Sequence, residues 1–202
     1  SFDRSGAIGA LRAIARWDGA NWNGLRGTNE PPNTVLTILP QAEGRLLVGG
    51  LGTSHLHLWN GASWSLALGL QRGGATPLAH ALAQRASTVV VGGSFQDVSA
   101  ADFSGAQPAA NIAEWTAGQI MAVGTGLGTG VNGPISAVAV IGGDVYVAGA
   151  FNRAGSTAVR SIARWNGSTW ADVGGGLSYG PGNAASVFGP AYANTLLVQG
   201  DT

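Results

Sequence analysis

The sequence predicts an all-β protein assembled from repeated four-stranded sheets, and three observations predict it. Four apolar runs close at Val48, Val91, Val147 and Val198, each followed by a short pair: Gly49-Gly50, Gly92-Gly93, Ala148-Gly149 and Gln199-Gly200. A hairpin led by Trp stands at Trp17, Trp59, Trp115 and Trp165, and a second Trp closes three of these hairpins at Trp22, Trp64 and Trp170. Both markers advance by about fifty residues and drift together, as loop insertions between fixed strands produce. A unit of that length exceeds a leucine-rich repeat and fits one four-stranded blade of a β-propeller.

The elements of one unit follow in order between Pro134 and Gly174. Strand a is the β-branched run Ile135–Val140, ended by the Gly142-Gly143-Asp144 turn. Strand b, Val145–Val147, stops where small residues permit a bend or a close backbone approach. After a polar loop comes strand c, Ser161–Trp165, then Asn166-Gly167, a pair suited to the positive φ of a tight hairpin. Strand d, Trp170–Val173, returns. Earlier units repeat this order: a at Val35–Leu39 and Leu78–Ala83, b at Arg45–Val48 and Thr88–Val91, c at His55–Trp59 and Asn111–Trp115. The turn recurs as Asn60-Gly61 and Asp18-Gly19, and decays to Thr116-Ala117-Gly118, with Ile120 at the place of the second Trp.

The phase of the two ends carries an expectation of its own. Before the first whole unit stand only c (Ala13–Trp17) and d (Asn21–Leu25), and Ser1–Trp17 runs nearly in step with Ala150–Trp165. After the last stand only a (Ser186 to about Ala191) and b (Thr195–Val198). Pairing the terminal ab with the initial cd makes a composite blade and closes a ring of four without long open edges. The expectation is a single propeller domain over 1–202, four-bladed if the chain is complete and otherwise a segment of a larger ring.

Composition agrees with buried sheets. Charged residues make up 10% of the 202, against roughly 25% in an ordinary domain. Hydrophobic residues make up 45%, and there are 34 Gly. The low charge and abundant small residues suit sheets covered on both faces. All ten basic residues are Arg, which removes Lys chemistry from this chain and suggests a GC-rich bacterial source. Without Cys there are neither disulfides nor thiolate metal sites. A net charge of zero with no basic stripe argues against nucleic acid, and no apolar run is long enough for a membrane span. Ser1 onward reads as repeat rather than signal peptide.

Gly49-Gly50 or Gly92-Gly93 after a β run, with an aromatic and then a Trp further on, resembles the repeat of kelch and galactose-oxidase propellers. The resemblance spans nearly the whole chain and implies a propeller fold without implying an activity. Two features depart from the family: Trp replaces Tyr as the first aromatic, and the aromatic pair is five residues apart rather than six. The copper site of galactose oxidase requires a Cys–Tyr cofactor, which a chain without Cys cannot form. The turn at Asp18-Gly19 resembles the Asp-box of sialidase-like propellers with one residue missing, and that turn is a folding device there too.

Candidate chemistry is sparse. His55 and His57, two apart on one strand, share a face and form a weak candidate for a metal; sister units carry Ala or Ser at those places. Arg16 and Arg164 precede the strand-c Trp, where other units have Leu58 and Glu114. An Arg fork can clamp an anion, but recurrence in a repeat favours a scaffold role. The same weighing makes the Trp residues, with Gly49, Gly50, Gly92 and Gly93, repeat anchors, while an exposed Trp ring would suit sugar stacking. Asp and Asn in the segments opened by Phe2, Phe95 and Phe151 are expected to bond local backbone, and Asp97 with Asp102 is too thin a ligand set for calcium. Glu30, Glu43 and Glu114 sit in three different settings, which offers no acid–base pair.

The expected function is a non-catalytic protein-binding or scaffold module without cofactors, an extracellular or periplasmic accessory of a larger assembly. It would meet protein partners through rim loops such as Ser99–Ala110 and Ser178–Ala185. A lectin-like, glycan-binding propeller is the alternative, and a sialidase-like hydrolase the third reading.

Overall fold

The computed structural model describes residues 13–31, 34–52, 54–116, 119–122, 130–177 and 193–199. The chain opens with β1 (Ala15–Trp17) and β2 (Trp22–Gly24), then β3 (Thr34–Pro40), a 3-10 turn over Ala42–Gly44, β4 (Leu46–Leu51), β5 (His55–Trp59) and β6 (Trp64–Gln71). There follow β7 (Leu78–Arg85), β8 (Thr88–Ser94), β9 (Asp97–Ser99), β10 (Gln107–Pro108), β11 (Ile112–Thr116) and β12 (Gln119–Ala122). The last group is β13 (Ile135–Ile141), β14 (Asp144–Gly149), β15 (Arg153–Ala154), β16 (Thr157–Ala158), β17 (Ile162–Trp165) and β18 (Trp170–Asp172). The architecture is all-β and antiparallel.

Three antiparallel meanders reproduce the order a, b, c, d: β3-β4-β5-β6, β7-β8-β11-β12 and β13-β14-β17-β18. The hairpin β1-β2 stands where c and d of a further unit would fall. The b–c loops add short strands: β9 pairs with β6 of the preceding sheet, extending it to six strands with β10, and β15 pairs with β16. Val131, ahead of β13, bridges Ala154 in a similar way.

Strand b is apolar on both faces because each face meets a different neighbour. Val48 belongs to the cluster with Ile14, Leu25 and Trp64, toward the N-terminal hairpin, whereas adjacent Leu47 belongs to the cluster with Ala79, Val89 and Val91 of the second sheet. In that sheet Val90 turns the other way, into the cluster of Ile135, Val145, Val147 and Trp165. The sheets therefore stack in sequence, β7 lying on β3 and β4, and β13 on β7 and β8.

The small pair does two different jobs. A Cβ on Gly49 would stand 2.7 Å from that of Ala79, and one on Gly92 would stand 2.6 Å from Val138 Cγ2 and 2.7 Å from Ile135 Cγ2. The first position is thus small because strand a of the next sheet lies on it. The second is small because of its own sheet: a Cβ on Gly93 would meet the Leu78 carbonyl, and one on Gly149 that of Pro134. Opposite each pair strand a carries a β-bulge, between Val35 and Thr37, Ala79 and Ala81, and Ile135 and Ala137. The bulge bends strand a at the same place in every unit.

In the three c–d turns that open on Asp18, Asn60 and Asn166, the glycine takes positive φ and the residue before it does not: 104° at Gly19, 101° at Gly61 and 98° at Gly167. The preceding residue works through its side chain instead. Asn60 Oδ1 accepts from the backbone N–H of Ala62 and Ser63, Asn166 Oδ1 from Ser168 and Thr169, and Asp18 Oδ1 from Ala20 and Asn21. These are Asx-type caps, which explains Asn or Asp at this site.

The expected terminal strand b does not form. Residues 195–199 have no strand pairing, Leu197 is 91% exposed, and Ala15–Trp17 pairs only with β2 among the described residues. The physical reason lies at Gln199, which occupies the place of Gly49 and Gly92, where even a Cβ collides with the next sheet. The companion strand a, Ser186 to about Ala191, lies outside the described residues, as do Phe2-Asp3 and the loop Ser178–Ala185.

Candidate functional site

The N-terminal hairpin and the outer face of the first sheet frame an open groove of about 630 Å³. Arg16 and Asn23 come from β1 and β2, Ile38 from β3, Leu46 from β4, Trp59 from β5 and Leu25 from the segment after the hairpin. Its volume lies in the range of small-molecule sites, roughly 300–1,000 Å³. Glu43, at φ 60° in the 3-10 turn, closes one end and faces Arg45 at 3.8 Å.

Beside the groove the Trp17 and Trp22 rings meet at 5.5 Å between centroids, tilted by 53°. The pairs Trp59–Trp64 and Trp165–Trp170 repeat this arrangement at 5.1 and 5.3 Å. Their surroundings differ. Trp64, Trp165 and Trp170 are buried, and the indole of Trp64 donates to the Leu25 carbonyl, whereas Trp17 is 50% and Trp22 40% exposed. Trp115 is half-buried against the cluster between the first and second sheets. Asp18, at the hairpin tip, has its carboxyl held down to about 2 by the Asn21 and Ala20 backbone N–H groups and the Asn23 amide, Arg16 adding a smaller attraction.

The two histidines serve separate loops. His57 is buried with Nδ1 2.8 Å from the Asn29 carbonyl, and His55 places Nε2 3.0 Å from the Ala101 carbonyl while its ring lies 4.6 Å from that of Phe103. A carbonyl only accepts, so each of these nitrogens carries the proton. Burial lowers the His57 pKa, against the raising effect of the Asn29 bond, and nearby His55 lowers it further. Among the described residues no three His, Cys, Asp or Glu side chains gather as a metal site would need.

Two of the charged residues at the strand-c position, Arg164 and Glu114, are engaged within the scaffold, while Arg16 lines the groove. Arg164 meets Asp144 through Nε at 2.7 Å and Nη2 at 2.6 Å. At the equivalent place Glu114, buried, holds Arg85 at 2.5 Å, and Arg85 Nε donates to the Gly143 carbonyl at 2.7 Å, tying the second sheet to the first turn of the third. Glu30 accepts from the Gly27 N–H. Asn152 does not bond its own loop backbone as expected; it pairs with Asn132, whose Oδ1 accepts from the N–H groups of Asn152 and Arg153. Asn111 likewise reaches across, donating to the Val131 carbonyl. Sequence reasoning missed these cross-loop amides, whose signal was only an Asn next to an apolar residue, Val131, Phe151 or Ile112.

No family model matches the chain, and no curated protein matches it in sequence. Among solved structures it is similar to the extracellular domain of BT4673 from B. thetaiotaomicron, a protein assigned in one structure as a hybrid two component system and in another as a one component system. The first match has a TM-score of 0.58 at 11% identity over 93% of this chain and 22% of the other. The second has 0.59 at 12% identity over 95% and 23%. The likeness is one of fold, and the chain spans about a fifth of the length of those domains. Among the described residues no helix is long and apolar enough to cross a membrane.

Proposed function

We propose that the three meanders are consecutive blades of a β-propeller, and that the chain is a non-catalytic, extracytoplasmic binding or scaffold module meeting a protein partner through its loops. The observation that carries the reading is the repeated interface, Gly49 under Ala79 and Gly92 under Ile135 and Val138, which stacks sheets face to face through their a and b strands. The resemblance of the repeat to kelch sequences and the likeness to a named extracellular domain support it. The cross-loop amides at Asn111, Asn132 and Asn152 hold loops rigid, as a binding surface requires. With zero net charge, partner affinity is expected to change little between low and physiological salt. Proteinase K added to intact cells of the source organism tests the compartment: degradation of the chain agrees, and full protection refutes it.

One observation favours a second reading. The exposed Trp17–Trp22 pair beside a groove bearing Arg16, Asn23 and Glu43 has the aromatic platform and polar groups that bind sugars. Titration of a glycan array followed by indole fluorescence separates the two. Saturable quenching that Trp17→Ala removes would establish the carbohydrate reading, and its absence across the array would end it.

A further inference from the structure

We infer that the loop between β6 and β7, with the loop that follows β9, forms a binding site for a small aromatic carboxylate, Arg72 supplying the cation and Phe103 the stacking ring. The site lies apart from the groove at the N-terminal hairpin. The inference goes beyond the partner-binding reading and does not depend on it. An open pocket of about 340 Å³ forms where Ser54, Leu70, Arg72, Gly74, Pro77 and Phe103 meet. That is the small end of the range for ligand sites, roughly 300–1,000 Å³, and it suits a single ring with a short acidic arm. Leu70 and Pro77 are buried and give the pocket an apolar side, and Arg72 is the one charged residue that lines it.

Charge decides the sign of the ligand. Arg45, Arg85 and Arg164 each face a carboxylate of this chain, whereas Arg72 faces none among the described residues. Asp102, next to Phe103, is engaged in its own turn, accepting from the Ser104 N–H at 2.9 Å and the Ser104 hydroxyl at 2.6 Å. The Gly74 N–H also donates to no acceptor among the described residues. A guanidinium fork beside a backbone donor matches the two oxygens of a carboxylate. Phe103 supplies the specificity for a ring. Its backbone is held at φ 63°, a region bulky residues seldom adopt, and its side chain is 43% exposed beside His55. An apolar ring kept outward at the cost of backbone strain marks a contact surface. The loop is fixed in advance: the Gly73 N–H donates to Gln96 Oε1 at 2.9 Å, the Gln96 N–H to the Gln71 carbonyl at 2.8 Å, and the Ala75 N–H to the Arg72 carbonyl at 2.8 Å. A ligand therefore has little loop to order on binding.

The test is a titration of the 202-residue chain with phenylpropanoate and with its neutral analogue phenylpropanamide, followed by amide NMR. The acid is expected to saturate at millimolar concentration and to shift the Gly73, Gly74 and Phe103 amides, leaving those of Gly19 and Gly61 in place. The neutral analogue should bind at least about tenfold more weakly, the loss of a charge-assisted pair. Arg72→Gln, at an exposed position outside any ion pair of the described residues, should bring the acid down to the affinity of the neutral analogue. Phe103→Leu should weaken both probes by the same factor, because it removes the ring contact and leaves the charge. No saturable shift at those amides, equal binding of acid and neutral analogue, or an acid indifferent to Arg72→Gln would overturn the proposal. Tighter binding of a peptide that ends in Phe than of the free acid would make the occupant a partner's C-terminus and overturn the small-ligand assignment.

Discussion

Trp64 donates its indole N–H to the carbonyl of Leu25 at 2.9 Å, joining the first four-stranded sheet to the segment that follows the N-terminal hairpin. Trp64→Phe keeps a ring but leaves that buried carbonyl without its donor, at a cost of about 1–3 kcal/mol. Trp64→Ala also loses the packing with Ile14 and Val48 and should cost about 3–5 kcal/mol. Urea midpoints give both values, and a Phe variant as stable as the parent would mean the bond contributes nothing.

Gly92→Ala places a methyl against Val138 and Ile135 and is expected to destabilise by about 1–3 kcal/mol. Combined with Val138→Ala, the loss should be smaller than the sum of the two single changes, because the second removes the atom nearest to the first. Strict additivity in the double-mutant cycle would show that the two sheets do not meet there.

Stability should fall as pH drops below about 6.5. His57 and His80 both have pKa values lowered by burial from the ordinary 6.5, so in that window the unfolded chain binds more protons than the folded one. Above it both states are neutral at these sites and stability reaches a plateau. His57→Asn keeps a donor toward the Asn29 carbonyl and removes one titration, so it should flatten the difference between pH 7.5 and 5.5. An unchanged slope would show that His57 does not report on folding.

Glu114→Ala leaves Arg85 without its partner at a site where the carboxylate is only 10% exposed. A loss of about 3 kcal/mol is expected, the low end for a broken buried pair because Arg85 keeps contact with water. Arg164→Met opens a pair whose Arg is 46% exposed and should cost less than about 1 kcal/mol. Guanidine unfolding of the two variants checks the ranking, and the reverse order would refute the scaffold role assigned to Glu114.

The long strands were legible because each expected a, b and c segment of the three whole units combines an apolar run with a turn residue; the a and c strands appear within two residues of their expected limits, and two b strands run three residues further, to Leu51 and Ser94. Shorter features were not. Asp97–Ser99, Gln107–Pro108 and Arg153–Ala154 are too brief for any period to show, yet the first of them pairs with the preceding unit. The histidine spacing suggested a shared metal, but each ring goes to the carbonyl of its own loop, His55 to Ala101 and His57 to Asn29. Exposure was unreadable for a further reason. Ile14-Ala15-Arg16-Trp17 and Ile162-Ala163-Arg164-Trp165 are identical tetrapeptides, and one Trp is half exposed while the other is buried. The difference lies in the neighbouring strand, which local sequence does not contain.

The ladder from β6 to β9 gives the molecule a mechanical property that stacking alone would not. Gly69 and Leu70 hydrogen-bond on one side to His55 and Ser54 of their own sheet, and Gly69 to Gln71 pair on the other with Ser99 to Asp97, a loop anchored in the next one. A force that lifts the first sheet away must shear those backbone bonds together with the apolar cluster that holds Leu47 and Ala79. Unfolding therefore spreads across the boundary between repeats, and the smallest piece that melts as one is larger than a single repeat.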